Sequence, residues 1–333
     1  MRHVAITGAS GLVGSNLARH LLQTDPDVEL TLLDLDPDST ELFAHLGPEV
    51  GRARYRTVDI TDRGAELFPL DEGITHVVHA AALCHVPEWE VADPMAFIDA
   101  NVVGTGNVVL AAARLPEVVR VVHVSSGGVY GDPTRWSTDD PQPEEGPFDP
   151  PEVYAISKLA GEQLARRLAE LEGMDLRVVR LSAVWGPMER VTRGRLLLSL
   201  PHAIARAVRL DEPLVLTART FEAGGDFLSA TDVAAGIGAL LAAPDLVSSA
   251  FNIAYGRWTT VPELLDAARR AAPGLRVEEA ADGEAADIDM DPANRRARWN
   301  AYAIDRLTTE TGWAPRPLAE QFAEHLAWSS AQV

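Results

Sequence analysis

The run Ile6-Thr7-Gly8-Ala9-Ser10-Gly11-Leu12-Val13-Gly14 constrains this chain more than any other segment, because it joins the apolar triplet Val4-Ala5-Ile6 directly to a helical pattern, Leu12 to Leu22. In that context Gly8 permits a tight turn, Gly11 lets the backbone approach a bound group, and Gly14 lets the helix lie close on the strand. Exposed amides at the start of the helix, reinforced by its dipole, then face an anion such as a pyrophosphate. Gly8, Ser10, Gly11, Leu12, Val13 and Gly14 are therefore expected to hold a dinucleotide. The next apolar run, Leu30 to Leu33, ends in Asp34, 20 residues after Gly14. An acid there accepts both ribose hydroxyls and repels a 2′-phosphate, so the expected cofactor is NAD rather than NADP.

Further short apolar runs alternate with helical patterns: Val77-Val78, Val118 to Val124, and Leu176 to Leu181 after a helical segment from about Glu152 to Glu172. Strands without polar alternation are buried on both faces, which is the mark of a parallel sheet covered by helices. The expected fold is α/β, a doubly wound parallel sheet (Rossmann) with a smaller, partly interleaved C-terminal substrate domain. Residues 1–181 are expected to form the dinucleotide domain, joined by a returning segment of about 220–256. Residues 182–219 and 257–330, with helices at Leu196 to Val208 and Val261 to Ala271, read as the substrate region. The helical pattern Thr231 to Leu241 falls in the returning segment. The stretch Trp136 to Pro151, rich in Pro, Asp and Glu, reads as a mobile loop beside the site.

With 333 residues, 47% of them hydrophobic, the chain can bury a large core. Its start shows neither a secretory leader nor an apolar run long enough to span a bilayer, so membrane association is not expected. Cys84 is the only cysteine, which excludes an internal disulfide and a cysteine-built zinc site and suits a reducing, cytoplasmic compartment; no metal is expected. A formal charge of −20 argues against nucleic acid as partner. Within this acidic chain Arg180, Arg190, Arg193, Arg195, Arg206, Arg209 and Arg219 face few acids nearby in sequence, and Arg295, Arg296 and Arg298 form a second knot. Local positive excess of this kind suits an anionic ligand, or else solvated helix faces.

Tyr154 and Lys158 lie four apart just after Pro150-Pro151, which suits a first helical turn, so phenol and ammonium share one helix face. A neighbouring ammonium favours phenolate, which makes Tyr154 a general base for a hydroxyl proton. The strand Val118 to Val124 ends in Ser125-Ser126-Gly127-Gly128-Val129-Tyr130-Gly131, at the edge where open α/β sheets bind ligands. A Ser126 hydroxyl there donates to the substrate oxygen while Tyr154 takes its proton.

These residues, together with His79-Ala80-Ala81-Ala82, Asn101-Val102-Val103-Gly104-Thr105-Gly106-Asn107 and weaker echoes at Trp185-Gly186-Pro187, Asp226 to Asp232, Phe251-Asn252-Ile253 and Gly312-Trp313-Ala314-Pro315, resemble the extended short-chain dehydrogenases/reductases. That family includes NAD-dependent nucleotide-sugar epimerases and dehydratases. The resemblance implies a catalytic triad of Ser126, Tyr154 and Lys158, with Lys158 also on the nicotinamide ribose. It places Asp59 and Ile60 at the adenine, Ala80, Ala81, Ala82 and Asn101 at the cofactor or its supporting backbone, and Ser125 and Leu181 among the cofactor-binding residues. It further implies a homodimer built on helices from about Asp99 to Arg114 and Glu152 to Glu172.

Departures from the family pattern bear on the substrate. Family dehydratases carry an Asp-Glu pair after the catalytic hydroxyl, where this chain has Gly127 and Gly128. Ala183 and Gly225 stand where an Asn and an Arg often touch a nucleotide sugar, leaving Arg190, Arg193, Arg195 and Arg295 as replacement phosphate contacts. Cys84, His85 and Trp89 border the substrate in this reading. The expected activity is 4-epimerisation of a nucleotide sugar through a transient 4-keto form. The alternatives are an NAD-dependent dehydrogenase or ketoreductase of a sugar acid or other secondary alcohol, and a non-catalytic dinucleotide-binding module.

Overall fold

The computed structural model describes residues 2–70, 72–131, 141–281, 283–291 and 301–332. Its first six strands are β1 (His3–Thr7), β2 (Glu29–Asp34), β3 (Ala53–Thr57), β4 (His76–His79), β5 (Arg120–Ser126) and β6 (Leu176–Leu181). With the later strand Ala250–Ile253 they form one seven-stranded sheet in the order β3-β2-β1-β4-β5-β6-(Ala250–Ile253), every neighbouring pair parallel. The fold is the doubly wound α/β (Rossmann) fold read from the apolar runs. Strand order reverses between β1 and β4, so the carboxyl ends of these two strands open a crevice.

One core fills each face of the sheet. On one side Leu17, Leu21 and Leu22 of the first helix, Leu12–Thr24, meet Val233, Ile237 and Leu240 of the helix Ala230–Ala242 over Ile6, Leu32 and Val179. On the other, Val108, Val109, Ala165 and Ala169 pack on Ala5, Val77, Val121 and Val178. Full burial of each such aliphatic side chain contributes about 1.5–3 kcal/mol. The helical span Met95–Ala112 is long and apolar enough to cross a membrane by length and composition, and it supplies Val108 and Val109 to the second of these cores.

A third core lies apart from the sheet, where Trp185, Leu200, Ile204, Phe227, Leu264 and Phe322 pack together. It joins the helices Leu200–Leu210, Val261–Ala271 and Leu318–Ser330 to short strand pairs such as Phe227–Ser229 with Ala183–Trp185. Leu307 and Trp313, which fall inside the expected substrate region 257–330, pack instead into the sheet's own core.

Three details differ from the sequence reading. β3 carries no apolar run, because at the sheet edge its side chains alternate between half-buried and exposed. The helix expected from Asp99 opens with a π turn, Asp99–Gly104, before α-helix resumes at Thr105–Ala112. Pro151 precedes the helix Val153–Glu172 rather than entering its first turn, since Glu152 is extended and serves as N-cap.

Candidate active site

The glycine loop closes the crevice between β1 and β4. Gly8 has φ +70°, and a Cβ on it would lie 2.6 Å from the Cα of Ala81, so the loop after β1 and the segment after β4 touch backbone to backbone. A Cβ on Gly14 would lie 2.2 Å from the Gly8 carbonyl oxygen, so only glycine allows this seating of the first helix. That helix has Gly11 as N-cap with no side-chain cap and no acid in its first turn, which leaves its amides facing the crevice. Asp34 ends β2 and accepts the Ser10 N–H at 2.8 Å, and the Ser10 and Tyr55 hydroxyls lie 3.2 Å apart. The Ser125 hydroxyl, at the carboxyl edge of β5, is buried with no hydrogen-bond partner. Open helix amides, a carboxylate beside them and an orphaned hydroxyl across the crevice fit a dinucleotide. Asp34→Ala is expected to lower the preference for NAD over NADP by about 10–100-fold, as the loss of a paired carboxylate does; equal ratios of the two dissociation constants in parent and variant would remove this role.

Asp59 and Ile60 follow β3. Asp59 Oδ1 accepts from Thr61 N at 2.8 Å, and the Ile60 carbonyl accepts from Asn107 Nδ2 at 2.8 Å. Ala80 follows β4, its N–H on the Thr7 carbonyl at 3.1 Å, with Ala81 and Ala82 continuing along the crevice. Asn101, buried in the π turn, holds both backbone groups of Leu83 at 2.9 and 3.0 Å and donates to the Ser157 hydroxyl at 2.9 Å. All its amide hydrogen-bonding groups thus clamp protein, and its contribution is to hold the segment after β4, at Leu83, against the helix Val153–Glu172.

Ser126, Tyr154 and Lys158 converge at the carboxyl edge of β5. The Ser126 Oγ accepts the Gly128 N–H at 3.1 Å, and its hydroxyl is near enough to the Tyr154 phenol to lower that phenol's pKa. The Tyr154 ring stands 6.2 Å from the His85 ring and 6.4 Å from that of Phe97. Its helix is tied at the start by Glu90, which accepts the Val153 N–H at 2.8 Å, and by His85, which lies 3.3 Å from the Glu152 carboxylate. Sequence reasoning singled out neither Glu90 nor Phe97, because their roles depend on a segment 60 residues away folding back onto the helix start. Burial raises the phenol pKa, as does Cys84, while the Ser126 hydrogen bond and the Arg195 charge act in the opposite direction. Lys158, 3% exposed, donates from Nζ to the Val124 carbonyl at 2.7 Å, and burial lowers its pKa to about 8. Beneath it the rings of His79 and His123 lie 5.3 Å apart, both held neutral by burial first and by the Lys158 charge second.

On the substrate side the structure brings together Cys84, whose N–H meets the Gly194 carbonyl at 2.9 Å, and Arg195, whose charge reaches Tyr154. Ala183 opens a short strand with its N–H on the Asp226 carbonyl at 3.0 Å. The local positive excess read from the arginine spacing is largely cancelled in three dimensions. Arg180 pairs with Glu162, Arg190 with Glu41 at 2.7 Å, Arg195 with Glu189 at 2.6 Å, Arg206 with Asp287 and Arg219 with Asp289. Arg193 is exposed, with no acid partner among the described residues. Arg295, with Arg296 and Arg298, lies outside the described residues, as do 136–140 of the expected mobile loop. The described remainder of that loop is anchored: Gln142 and Glu144 are buried and hydrogen-bonded to Asn252.

A dinucleotide crevice at the strand-order reversal, with serine, tyrosine and lysine at the adjoining strand end, defines an oxidoreductase-type site of the short-chain dehydrogenase/reductase class. The profile of the NAD dependent epimerase/dehydratase family matches residues 4–254, and the chain belongs to that family. Its cofactor is NAD. A putative UDP-glucose 4-epimerase of Methanocaldococcus jannaschii is 28% identical over 79% of this chain and 80% of its own length. A dTDP-glucose 4,6-dehydratase of Streptomyces griseus is 30% identical over 98% and 93%. The crystal structure of a UDP-glucuronic acid 4-epimerase from Bacillus cereus, in complex with UDP-glucuronic acid and NAD, has the same fold, with a TM-score of 0.79 at 18% identity over 99% of this chain and 100% of that one.

Proposed function

We propose that this protein is a nucleotide-sugar 4-epimerase. The observation that carries this reading is the pair Gly127-Gly128 beside an intact Ser126, Tyr154 and Lys158. It supplies a base and a donor for a hydroxyl but no acid pair for removing water from the sugar. Bound NAD would supply the acceptor for the hydride at the reacting carbon and its source when the hydride returns. The Tyr154 phenolate takes the proton from the sugar hydroxyl, and Ser126 holds the oxygen as it becomes a carbonyl. The buried Lys158 ammonium favours the phenolate and, being held on the Val124 carbonyl, keeps its place through the cycle. Rotation of the 4-keto sugar, followed by protonation of the new alkoxide by Tyr154, completes inversion.

Screening UDP- and dTDP-hexoses against the NAD-loaded protein, following both absorbance at the NADH band and product stereochemistry, tests this. Inversion at C4 without net NADH supports the reading. Stoichiometric NADH identifies a dehydrogenase, and a 6-deoxy-4-keto product identifies a dehydratase; either result overturns it. The apolar side chains Met95, Leu110, Ile156 and Leu171 are left exposed on the spans Met95–Ala112 and Val153–Glu172, which supports pairing of two copies through these helices. Sedimentation is expected to give twice the chain mass; a monomer at micromolar concentration would count against the dimer.

A further inference from the structure

We infer that Tyr302 is a second substrate-facing phenol, donating its hydroxyl hydrogen to a sugar oxygen on a carbon next to the reacting one. This rests on the nucleotide-sugar reading above and names a residue that takes over the place of a missing side chain. Gly127 directly follows Ser126, and a Cβ on it would lie 2.4 Å from the Tyr302 hydroxyl oxygen, 2.6 Å from Cζ and 2.9 Å from Cε1. The phenol therefore occupies the space into which any side chain at 127 would project, adjoining the serine that holds the reacting oxygen.

The ring is held in that place by its own backbone. Gln142 N donates to the Ala301 carbonyl at 2.8 Å, Ala303 N to the Gln142 carbonyl at 3.0 Å, and Asn252 Nδ2 to the Ala303 carbonyl at 3.0 Å. Tyr302 N itself lies 3.4 Å from Asp226 Oδ2, and the ring rests on Tyr130 with centroids 5.7 Å apart. A side chain fixed in this way places its polar atom within a few tenths of an ångström, which is what a specificity contact requires.

Its polar neighbours are already engaged. The Tyr130 hydroxyl donates to Asn252 Oδ1 at 2.7 Å, and Asp226 accepts the Tyr255 and Gly256 N–H groups at 2.7 and 2.9 Å. Tyr302 is 4% exposed, yet its hydroxyl has no hydrogen-bond partner among the described residues. The hydroxyl oxygen is not sealed off as the Ser125 hydroxyl is, so it opens to space where a ligand oxygen can accept its hydrogen. Burial, with Asp226 adding to it, keeps the phenol protonated well above its ordinary range. It is thus a neutral donor at physiological pH. Such a group orients a sugar oxygen, but unlike a carboxylate it does not take a proton from carbon. The same position that serves water removal where a carboxyl group stands there serves orientation here.

The test uses the NAD-loaded full chain and whichever UDP- or dTDP-hexose the parent protein converts. Tyr302→Phe keeps the ring and removes only the donor; it is expected to raise KM about 5–10-fold, the scale of one neutral hydrogen bond, with a smaller effect on kcat. NAD affinity, the pH profile and the binding of UDP or dTDP without sugar should match the parent. In the second arm Gly127→Ala drives a methyl group into the ring and is expected to lower kcat/KM further, with partial recovery in Gly127→Ala/Tyr302→Ala. A parent-like KM in Tyr302→Phe, or no recovery in the double variant, overturns the inference while leaving epimerisation intact. A parent protein that binds and converts no nucleotide sugar overturns the functional reading and this inference with it.

Discussion

Tyr154→Phe is expected to lower turnover by about 10³-fold or more, the upper part of the range for a removed general base, while leaving NAD affinity within about 3-fold of the parent. The phenol is the group beside Ser126 that can carry a proton to and from a substrate hydroxyl, and phenylalanine keeps the ring contacts with His85 and Phe97. The pH dependence follows from its partner. Burial holds the Lys158 pKa at about 8, so its ammonium is intact at neutral pH and is lost as pH rises through that value. Since phenolate is favoured only beside that charge, kcat is expected to fall on the alkaline side from about pH 8. Burial of the phenol works against this, raising its pKa. Steady-state rates over pH with the parent and Tyr154→Phe measure both. A variant retaining a tenth of parental turnover, or one that no longer binds NAD, would show that the phenol serves the fold rather than the proton transfer.

The second large effect is on stability. Arg180 of β6 and Glu162 of the catalytic helix are 2% and 0% exposed, and they meet through two bonds of 2.5 and 3.0 Å. Arg180 also donates to the Tyr130 hydroxyl at 2.9 Å and the Glu144 carbonyl at 2.6 Å, and lies 4.6 Å from the centre of the Phe148 ring. Removing one member leaves the other charged and buried, so Arg180→Met or Glu162→Met alone is expected to cost about 3–5 kcal/mol in denaturant unfolding. The double variant should cost less than the sum, because it buries no unpaired charge. Burial by itself would raise the Glu162 pKa, but Arg180 and Arg166 outweigh it and hold the carboxyl below its ordinary value. The stabilisation is therefore complete above the pKa of the unfolded carboxyl and disappears as pH falls through the lower folded one, and the gap between parent and Arg180→Met should narrow under acid. Additive single variants would show that the two charges do not act as a pair.

The sheet, the crevice and the triad were legible because each is written in a local pattern. Unbroken apolar runs such as Val4-Ala5-Ile6 and Val77-Val78 leave no face for water, and so imply parallel strands between helices. Gly14 answers to contacts within its own strand-turn-helix unit, and Tyr154 and Lys158 to one turn of one helix, whereas Gly8 also makes room for the backbone of Ala81 after β4. β3 escaped notice because an edge strand needs only half of its side chains dry.

What the tertiary structure alone decided are the meetings between residues far apart in the chain. Seven arginines that look like a cationic patch along the sequence include four paired with acids brought in from distant segments and a fifth, Arg195, paired with Glu189 of its own loop, and Arg180 becomes a structural ion pair instead of a ligand contact. Gly127 reads as an absence until Tyr302 is found lying on it. Local sequence determines which way a side chain points from its own element. Which atom it then meets depends on how those elements pack, and charge pairing and the filling of space are settled at that point.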